Sequence, residues 1–235
     1  MTAAWRWGLA AALIVWLGSM LVLSSYPKEA ADRRRPAEPL SGNAPIAIAF
    51  MGTSLTAGSI WPDRVADALA ICVARPVWAL RFAQGGATSV WGVGQIETVI
   101  AADPDIIVIE FAINDADLRN GLLLATSADT HHAILTRLKQ ALPEARIVLM
   151  TTNPTLGVRQ LLRPRLPAYY ALYRQLAADH DTGLVDLTAR WLALPDFAQK
   201  LTDGVHPTEA AAISVVVPVV APYLAGVLGG SCALE

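Results

Sequence analysis

The sequence predicts a single-domain α/β fold, a parallel sheet covered by helices on both faces. Two observations carry the prediction. Five apolar runs of strand length, 45–51, 77–82, 105–111, 146–151 and 183–187, alternate with five segments of helical pattern, 61–74, 89–102, 127–141, 167–180 and 207–228. Strands joined by connections of helix length pair in parallel, and such a sheet needs cover on both faces. A third observation concerns function: three of the runs are followed at once by residues suited to hydrolytic chemistry.

Ahead of the first strand lies a different kind of segment. No residue between Arg6 and Lys28 is charged, and Trp7 to Leu23 is almost wholly apolar. That length suits a membrane span or the apolar region of a secretory signal. Residues 1–27 therefore read as a signal anchor or a signal peptide. The anchor is preferred, because Ser24, Ser25, Ala30 and Ala31 offer no Ala-x-Ala pair for cleavage. Residues 28–43, rich in Pro, Ala and charge without an apolar period, read as a flexible linker with nothing to pack on the domain. Residues 44–230 form the expected domain, and a chain that is 54% hydrophobic and 16% charged has ample material for its core.

Along the domain, the first strand runs into Gly52-Thr53-Ser54-Leu55. Helix 61–74 contains Cys72; the only other cysteine, Cys232, lies in the C-terminal tail, and the sequence leaves open whether the two pair. The second strand leads to Ala83-Gln84-Gly85-Gly86. In the next helix Gly92-Val93-Gly94 lacks the third Gly and the preceding strand of a dinucleotide fingerprint and reads as part of a helix start. The third strand leads to Ala112-Ile113-Asn114-Asp115. His131 and His132 fall in helix 127–141, where neighbours diverge by about 100° and cannot share a metal, so a solvated or capping role is expected. Tyr169, Tyr170 and Tyr173 at helical spacing read as packing, with Arg163 to Arg165 on a cleft rim. After the fifth strand comes Asp203-Gly204-Val205-His206-Pro207, at the start of the last helix.

These blocks supply a hydrolytic set. A Ser hydroxyl is a weak nucleophile until an imidazole takes its proton, and the imidazole needs a carboxylate to fix its tautomer. Ser54, His206 and Asp203 provide the three. In an open parallel sheet the carboxyl ends of the strands share one rim. There the Ser54 and Gly86 backbone N–H groups and the Asn114 amide are placed to bind a developing oxyanion. The elbow of the α/β-hydrolases, Gly-x-Ser-x-Gly, is absent, since Thr56 follows Ser54 at the position of the second Gly.

With these residues the chain resembles the SGNH hydrolases, the GDSL esterases and lipases, from about residue 45 to 225. Ser54, Gly86, Asn114 and the Asp203-x-x-His206 pair match the family's four blocks in order. The resemblance implies a flavodoxin-like three-layer sandwich with strand order 2-1-3-4-5 and no cofactor or metal. It implies Ser54 as nucleophile, His206 as base, Asp203 as its orienting partner, and Ser54, Gly86 and Asn114 as the oxyanion hole. Thr53 stands where the family usually has Asp and Ala112 where it usually has Gly, changes expected to alter pocket shape more than chemistry.

The function expected on this basis is cleavage of carboxylic esters through an acyl-serine, with small-acyl or carbohydrate-borne acetyl esters favoured. Lysophospholipid, thioester and acyl-transfer chemistry on the same scaffold stay open, as does a non-catalytic glycan-binding domain. A net charge of −2 gives no reason to expect a nucleic-acid partner. Counting Lys and Arg around the apolar segment places the domain in the cytoplasm. The signal-like start and the family resemblance argue instead for a protein anchored facing the periplasm, or exported, and that is the expectation adopted.

Overall fold

A computed structural model describes residues 20–34 and 42–232, together with Ala12, Leu17 and Gly18. Most of the expected anchor and residues 35–41 of the expected linker lie outside the described residues. Five strands form: β1 Ile46–Gly52, β2 Val77–Ala83, β3 Ile106–Glu110, β4 Arg146–Thr151 and β5 Gly183–Asp186. Every pairing is parallel and the order is β2-β1-β3-β4-β5, as the resemblance implies.

Successive side chains on a strand point to opposite faces, so each apolar run feeds two cores. Ile46, Ile48 and Phe50 of β1, with Ile106, Val108, Val148 and Met150, lie under helices α1 Trp61–Val73 and α4 Glu209–Val227. Ala49, Met51, Ile107, Ile109 and Leu149 lie under α2 Leu124–Ala141 and α3 Leu166–Asp179. Helix α4 is apolar and long enough to cross a bilayer, but more than half of that stretch is buried and packs on the sheet and α1, which accounts for its composition. Thr208 caps it, its Oγ1 accepting the Ala211 N–H at 3.2 Å.

The helix expected over 89–102 is two pieces, Ser89–Val93 and Ile96–Ala101, separated at Gly94, where a weak helix former meets no packing demand to continue. Short turns of helix that the sequence did not announce follow four strands: Ser54–Ala57, Ala112–Asp115, Gly157–Leu161 and Thr188–Leu192.

The expectation of an unpacked linker fails for its described part. Arg33 forms an antiparallel bridge with Leu184 on the open edge of β5, exchanging hydrogen bonds of 2.9 and 2.8 Å. Asp32 accepts the Asp186 N–H at 2.8 Å and pairs with Arg190, and Tyr26, just upstream, is buried against Tyr170. The edge of a sheet is a row of unpaired backbone groups, and this segment covers it.

Cys72 of α1 and Cys232 beyond α4 are joined in a disulfide, their Cα atoms 5.1 Å apart. The bond closes a loop of 160 residues in sequence separation. Cross-links over long loops act largely on the unfolded chain and stabilise by about 2–4 kcal/mol. Cys72→Ser should therefore lower the thermal midpoint of the oxidised protein, and reducing agent should lower the wild type to the same value while leaving the variant unmoved.

Candidate active site

The carboxyl ends of β1, β2 and β3 stand side by side, Gly52 being in register with Ala83 on one flank and Glu110 on the other. The three segments that leave them carry Ser54, Gly86 and Asn114. β1 ends on a glycine because of what lies next to it: a Cβ on Gly52 would sit 2.1 Å from Glu110 Oε1. The Glu110 carboxylate fills that space. It accepts the Thr53 N–H at 2.6 Å, the Thr53 hydroxyl at 3.0 Å and the Thr56 hydroxyl at 2.7 Å. Thr53 in turn caps the short helix behind Ser54, its Oγ1 accepting from the Leu55 N–H at 3.2 Å. A threonine thus does the capping at the position where an aspartate was expected, and the nearby carboxylate comes from β3.

The opposite wall is the loop 201–207. It is pinned at both ends, by a bridge between Leu201 and Pro207 and by the Thr202 N–H donating to the His206 carbonyl at 2.8 Å. Gly204 has φ +82°, and a Cβ there would lie 2.5 Å from the Leu156 carbonyl, so both its conformation and its closeness demand glycine. This turn folds Asp203 back beneath His206. Asp203 Oδ1 accepts the Val205 and His206 backbone N–H groups at 3.0 and 2.9 Å, and both carboxylate oxygens lie 3.1 Å from His206 Nδ1. Partial burial pushes the Asp203 carboxyl up, but the two backbone donors and the imidazole outweigh it and hold the group well below the usual carboxylate range. A carboxylate on Nδ1 fixes the hydrogen there and leaves Nε2 as an acceptor. Nε2 lies 2.8 Å from Ser54 Oγ.

Asn114 and Gly86 complete the rim. Asn114 is buried and donates from Nδ2 to the Ala87 carbonyl at 3.0 Å, which seats the turn after β3 against the turn containing Gly86. One Nδ2 hydrogen goes to this contact and the second is left for another acceptor. Gly86 has φ +78°. Ala112 lies in an ordinary helical turn and does not take a positive φ, so the backbone there makes no demand for glycine.

Several supporting residues went unread in the sequence. Arg163 is buried and not on a rim: it pairs with Asp117 at 2.6 Å and donates to the Ile113 carbonyl at 2.8 Å, clamping the Asn114 turn. His131, expected to be solvated or capping, is wholly buried. The Tyr173 hydroxyl accepts the Phe111 and Ala112 N–H groups at 2.7 and 3.2 Å and so turns its hydrogen to His131 Nε2, 2.9 Å away. His131 Nδ1 then donates to the Ser127 carbonyl at 2.7 Å. Burial lowers the His131 pKa, with nearby Asp115 opposing, and the ring stays neutral. Asp115 accepts the Ser89 N–H at 2.8 Å and the Ser127 hydroxyl at 2.6 Å. Arg159 reaches Asp203 Oδ2 at 3.0 Å.

Beside Ser54 and His206 opens a small pocket of about 80 Å³. Leu55, Trp61, Met150, Leu187, Trp191 and Val216 make it largely apolar, and Glu110 lines it as well.

The sequence profile of the GDSL-like lipase/acylhydrolase family matches residues 50–212. The chain belongs to that family. As a GDSL-like acylhydrolase it has the family's ester-hydrolase chemistry as its general class. Solved structures show the same fold. A lipase/acylhydrolase from Enterococcus faecalis superposes with a TM-score of 0.69 at 21% identity, over 81% of this chain and 100% of that one. An acetyl xylan esterase variant from Geobacillus stearothermophilus gives 0.62 at 22% identity, over 81% and 97%. The psychrotrophic esterase EstA from Pseudoalteromonas sp., inhibited by monoethylphosphonate, gives 0.57 at 16% identity, over 78% and 96%. No curated protein sequence matches this GDSL-like chain.

Glu110 gives the site a measurable pH signature. Burial raises its pKa from 4.5 to about 7, against the lowering effect of the Thr53 and Thr56 hydrogen bonds. A carboxyl whose folded pKa is raised favours the fold below its unfolded pKa and loses that contribution as pH climbs through the folded value. At about 1.4 kcal/mol per unit the loss is at most roughly 3 kcal/mol. Glu110→Gln should therefore gain stability relative to wild type between pH 5 and 8, seen as a difference in thermal midpoint that grows with pH; a constant difference would contradict it.

Proposed function

We propose that the chain is an SGNH-type serine hydrolase that cleaves carboxylic esters through an acyl-serine intermediate. The observation that carries this reading is the unbroken hydrogen-bonded line from Ser54 Oγ through His206 to Asp203. His206 Nε2 takes the Ser54 proton as Oγ attacks the acyl carbon, and Asp203 stabilises the imidazolium that results. The negative oxygen of the tetrahedral intermediate is received by the Ser54 and Gly86 N–H groups and the free hydrogen of Asn114 Nδ2. The imidazolium returns its proton to the leaving alcohol. Water repeats the sequence in reverse and frees the acid.

The acyl group enters the apolar pocket beside Ser54. The small size and apolar lining of that pocket favour a short acyl group, acetyl included, in keeping with the acetyl esters favoured on sequence. The Cys72–Cys232 disulfide supports an oxidising compartment outside the cytoplasm. With the uncharged run from Trp7 to Pro27, it supports a membrane-anchored enzyme facing the periplasm or an exported one.

A fluorophosphonate should label the wild-type protein at Ser54, and Ser54→Ala should lose both label and ester turnover while keeping its thermal midpoint within a few degrees. Retained turnover in that variant would exclude the acyl-serine route.

Removal of one preorganised oxyanion donor typically costs about 10²–10³ in kcat. Asn114→Ala should show a loss of that order with KM little changed; a rise confined to KM would make Asn114 a substrate-binding residue instead.

A further inference from the structure

The loop that carries Asp203 and His206 rests on the segment that leaves β4. Asn153 Nδ2 donates to the Val205 carbonyl at 2.8 Å, and the Leu156 N–H donates to the Gly204 carbonyl at 2.8 Å. Directly after Leu156 the chain turns at Gly157, whose φ of +58° suits a glycine. The turn of helix Gly157–Leu161 carries Arg159, and Arg159 Nη2 lies 3.0 Å from Asp203 Oδ2. The first two contacts fix backbone. The third acts on a reacting group of the site. Arg159 is held in turn, since its carbonyl accepts from Nη1 of the buried Arg163 at 3.3 Å.

Asp203 does not need the guanidinium in order to be ionised. Burial pushes its carboxyl up, and the two backbone N–H groups with the imidazole already outweigh that. What Arg159 adds is a positive charge close to the base. Nη2 lies 3.0 Å and His206 Nδ1 3.1 Å from the same oxygen, Oδ2. Two unit charges about 6 Å apart in water-like surroundings move a proton equilibrium by about half a pH unit. The water-like value applies because Arg159 and Asp203 are 34% and 35% exposed, which also makes the pair a weak contributor to the stability of the fold.

The other charges that face His206 act in the opposite sense. Glu110 at the end of β3 and Glu209 in the first turn of α4 line the pocket with it, and Asp203 lies on Nδ1. Each favours the protonated ring, in which Nε2 cannot accept the Ser54 proton. Arg119, which lines the groove behind Asp203, is taken up by Asp117 at 2.6 Å, and Lys200, just ahead of the loop, pairs with Asp196 at 3.1 Å. Arg159 is the cation that touches the Asp203–His206 pair.

We propose that Arg159 is a positioning residue of the hydrolase: it holds Asp203 and offsets the carboxylates around His206, so that ester turnover persists to lower pH than those carboxylates alone would permit. This rests on the serine-hydrolase reading and deepens it. Arg159 lies in none of the sequence blocks that carry Ser54, Gly86, Asn114 and the Asp203–His206 pair, and it reaches them across 44 residues.

The test is the pH profile of kcat/KM for p-nitrophenyl acetate, measured on the full chain as wild type, Arg159→Lys, Arg159→Gln and Arg159→Ala. Glutamine keeps a donor for Oδ2 without the charge and lysine keeps the charge, so holding and electrostatics are read apart. The acid limb of the Gln and Ala variants should move to higher pH by about 0.5 unit, and that of the Lys variant by less than about 0.2 unit. Salt at about 0.5 M shortens the screening length to about 4 Å and should bring the Gln and wild-type limbs together. Glu110 and Glu209 are present in every variant and drop out of the comparison. Gln and Ala limbs that coincide with the wild-type limb, whatever the kcat or thermal midpoint, would make Arg159 a strut of the loop and overturn the proposal. So would a Lys limb displaced as far as the Gln limb, or a loss seen in KM alone. The two neutral variants are read independently, so one that failed to fold leaves the other to decide. In each of these cases a fluorophosphonate label on wild-type Ser54 keeps the hydrolase reading intact. A wild type with neither label nor turnover would remove both.

Discussion

All five strands run in the same direction, and nearly every functional feature of the molecule follows from that constraint. A parallel sheet sends every strand's carboxyl end to one rim, so Ser54, Gly86 and Asn114, each a few residues past its strand, need no long loops to meet. The central position of β1 sharpens the effect. Held by β2 on one flank and β3 on the other, its end is fixed to within the tolerance of two hydrogen-bonded ladders before any side chain of the site contributes. Glu110 then ties the end of β3 to the first turn after β1 through Thr53 and Thr56. Ser54 is therefore mounted on backbone that cannot move independently of the end of β3 and the Asn114 turn that follows it.

Rigidity of this sort has a thermodynamic cost. A buried carboxylate without a cationic partner is disfavoured, as the raised pKa of Glu110 records. Arg163 with Asp117 is a second case, a buried ion pair whose desolvation offsets much of its attraction. Neither is an efficient way to stabilise a fold. Both are efficient ways to fix a turn, because each group bonds to several backbone or side-chain partners at once and leaving any of them unpaired in a dry interior is costly. The Tyr173–His131 pair works likewise: two backbone N–H groups at the end of β3 converge on one hydroxyl, whose own hydrogen is then committed to the imidazole.

What was readable in the sequence is what depends on local pattern. Apolar runs of strand length and their alternation with helical segments gave five strands close to their observed bounds, and Ser54 and the Asp203–His206 pair stood out because glycine and proline punctuate chemistry-bearing residues. What was not readable depends on partners far along the chain. Glu110 acts on Thr53 across 57 residues, Arg163 on Ile113 across 50, and His131 on Tyr173 across 42. Nothing near any of them in sequence announces the partner. One signal was present: a lone carboxylate closing the otherwise apolar run Ile106 to Glu110, since charge at the end of a buried strand is rare without a task. The segment before residue 34 was misread for a related reason, because a chain without an apolar period can still dock by backbone hydrogen bonds to an open sheet edge.

That docking also bears on how both ends of the chain are held. Arg34 lies over the Tyr223 ring of α4, 5.5 Å from its centre, and close enough to Gly226 that a Cβ there would meet the guanidinium at 2.8 Å. The Tyr223 hydroxyl donates to the Arg33 carbonyl. The incoming chain is thus fastened to β5 and to α4 together, while the outgoing chain beyond α4 is fastened to α1 by the disulfide. Attachment to two elements resists rotation as well as translation, which attachment to a strand alone would not. The observed contacts make the path of residues 26–34 a property of the fold, set by the same strand polarity that gathers the residues around Ser54.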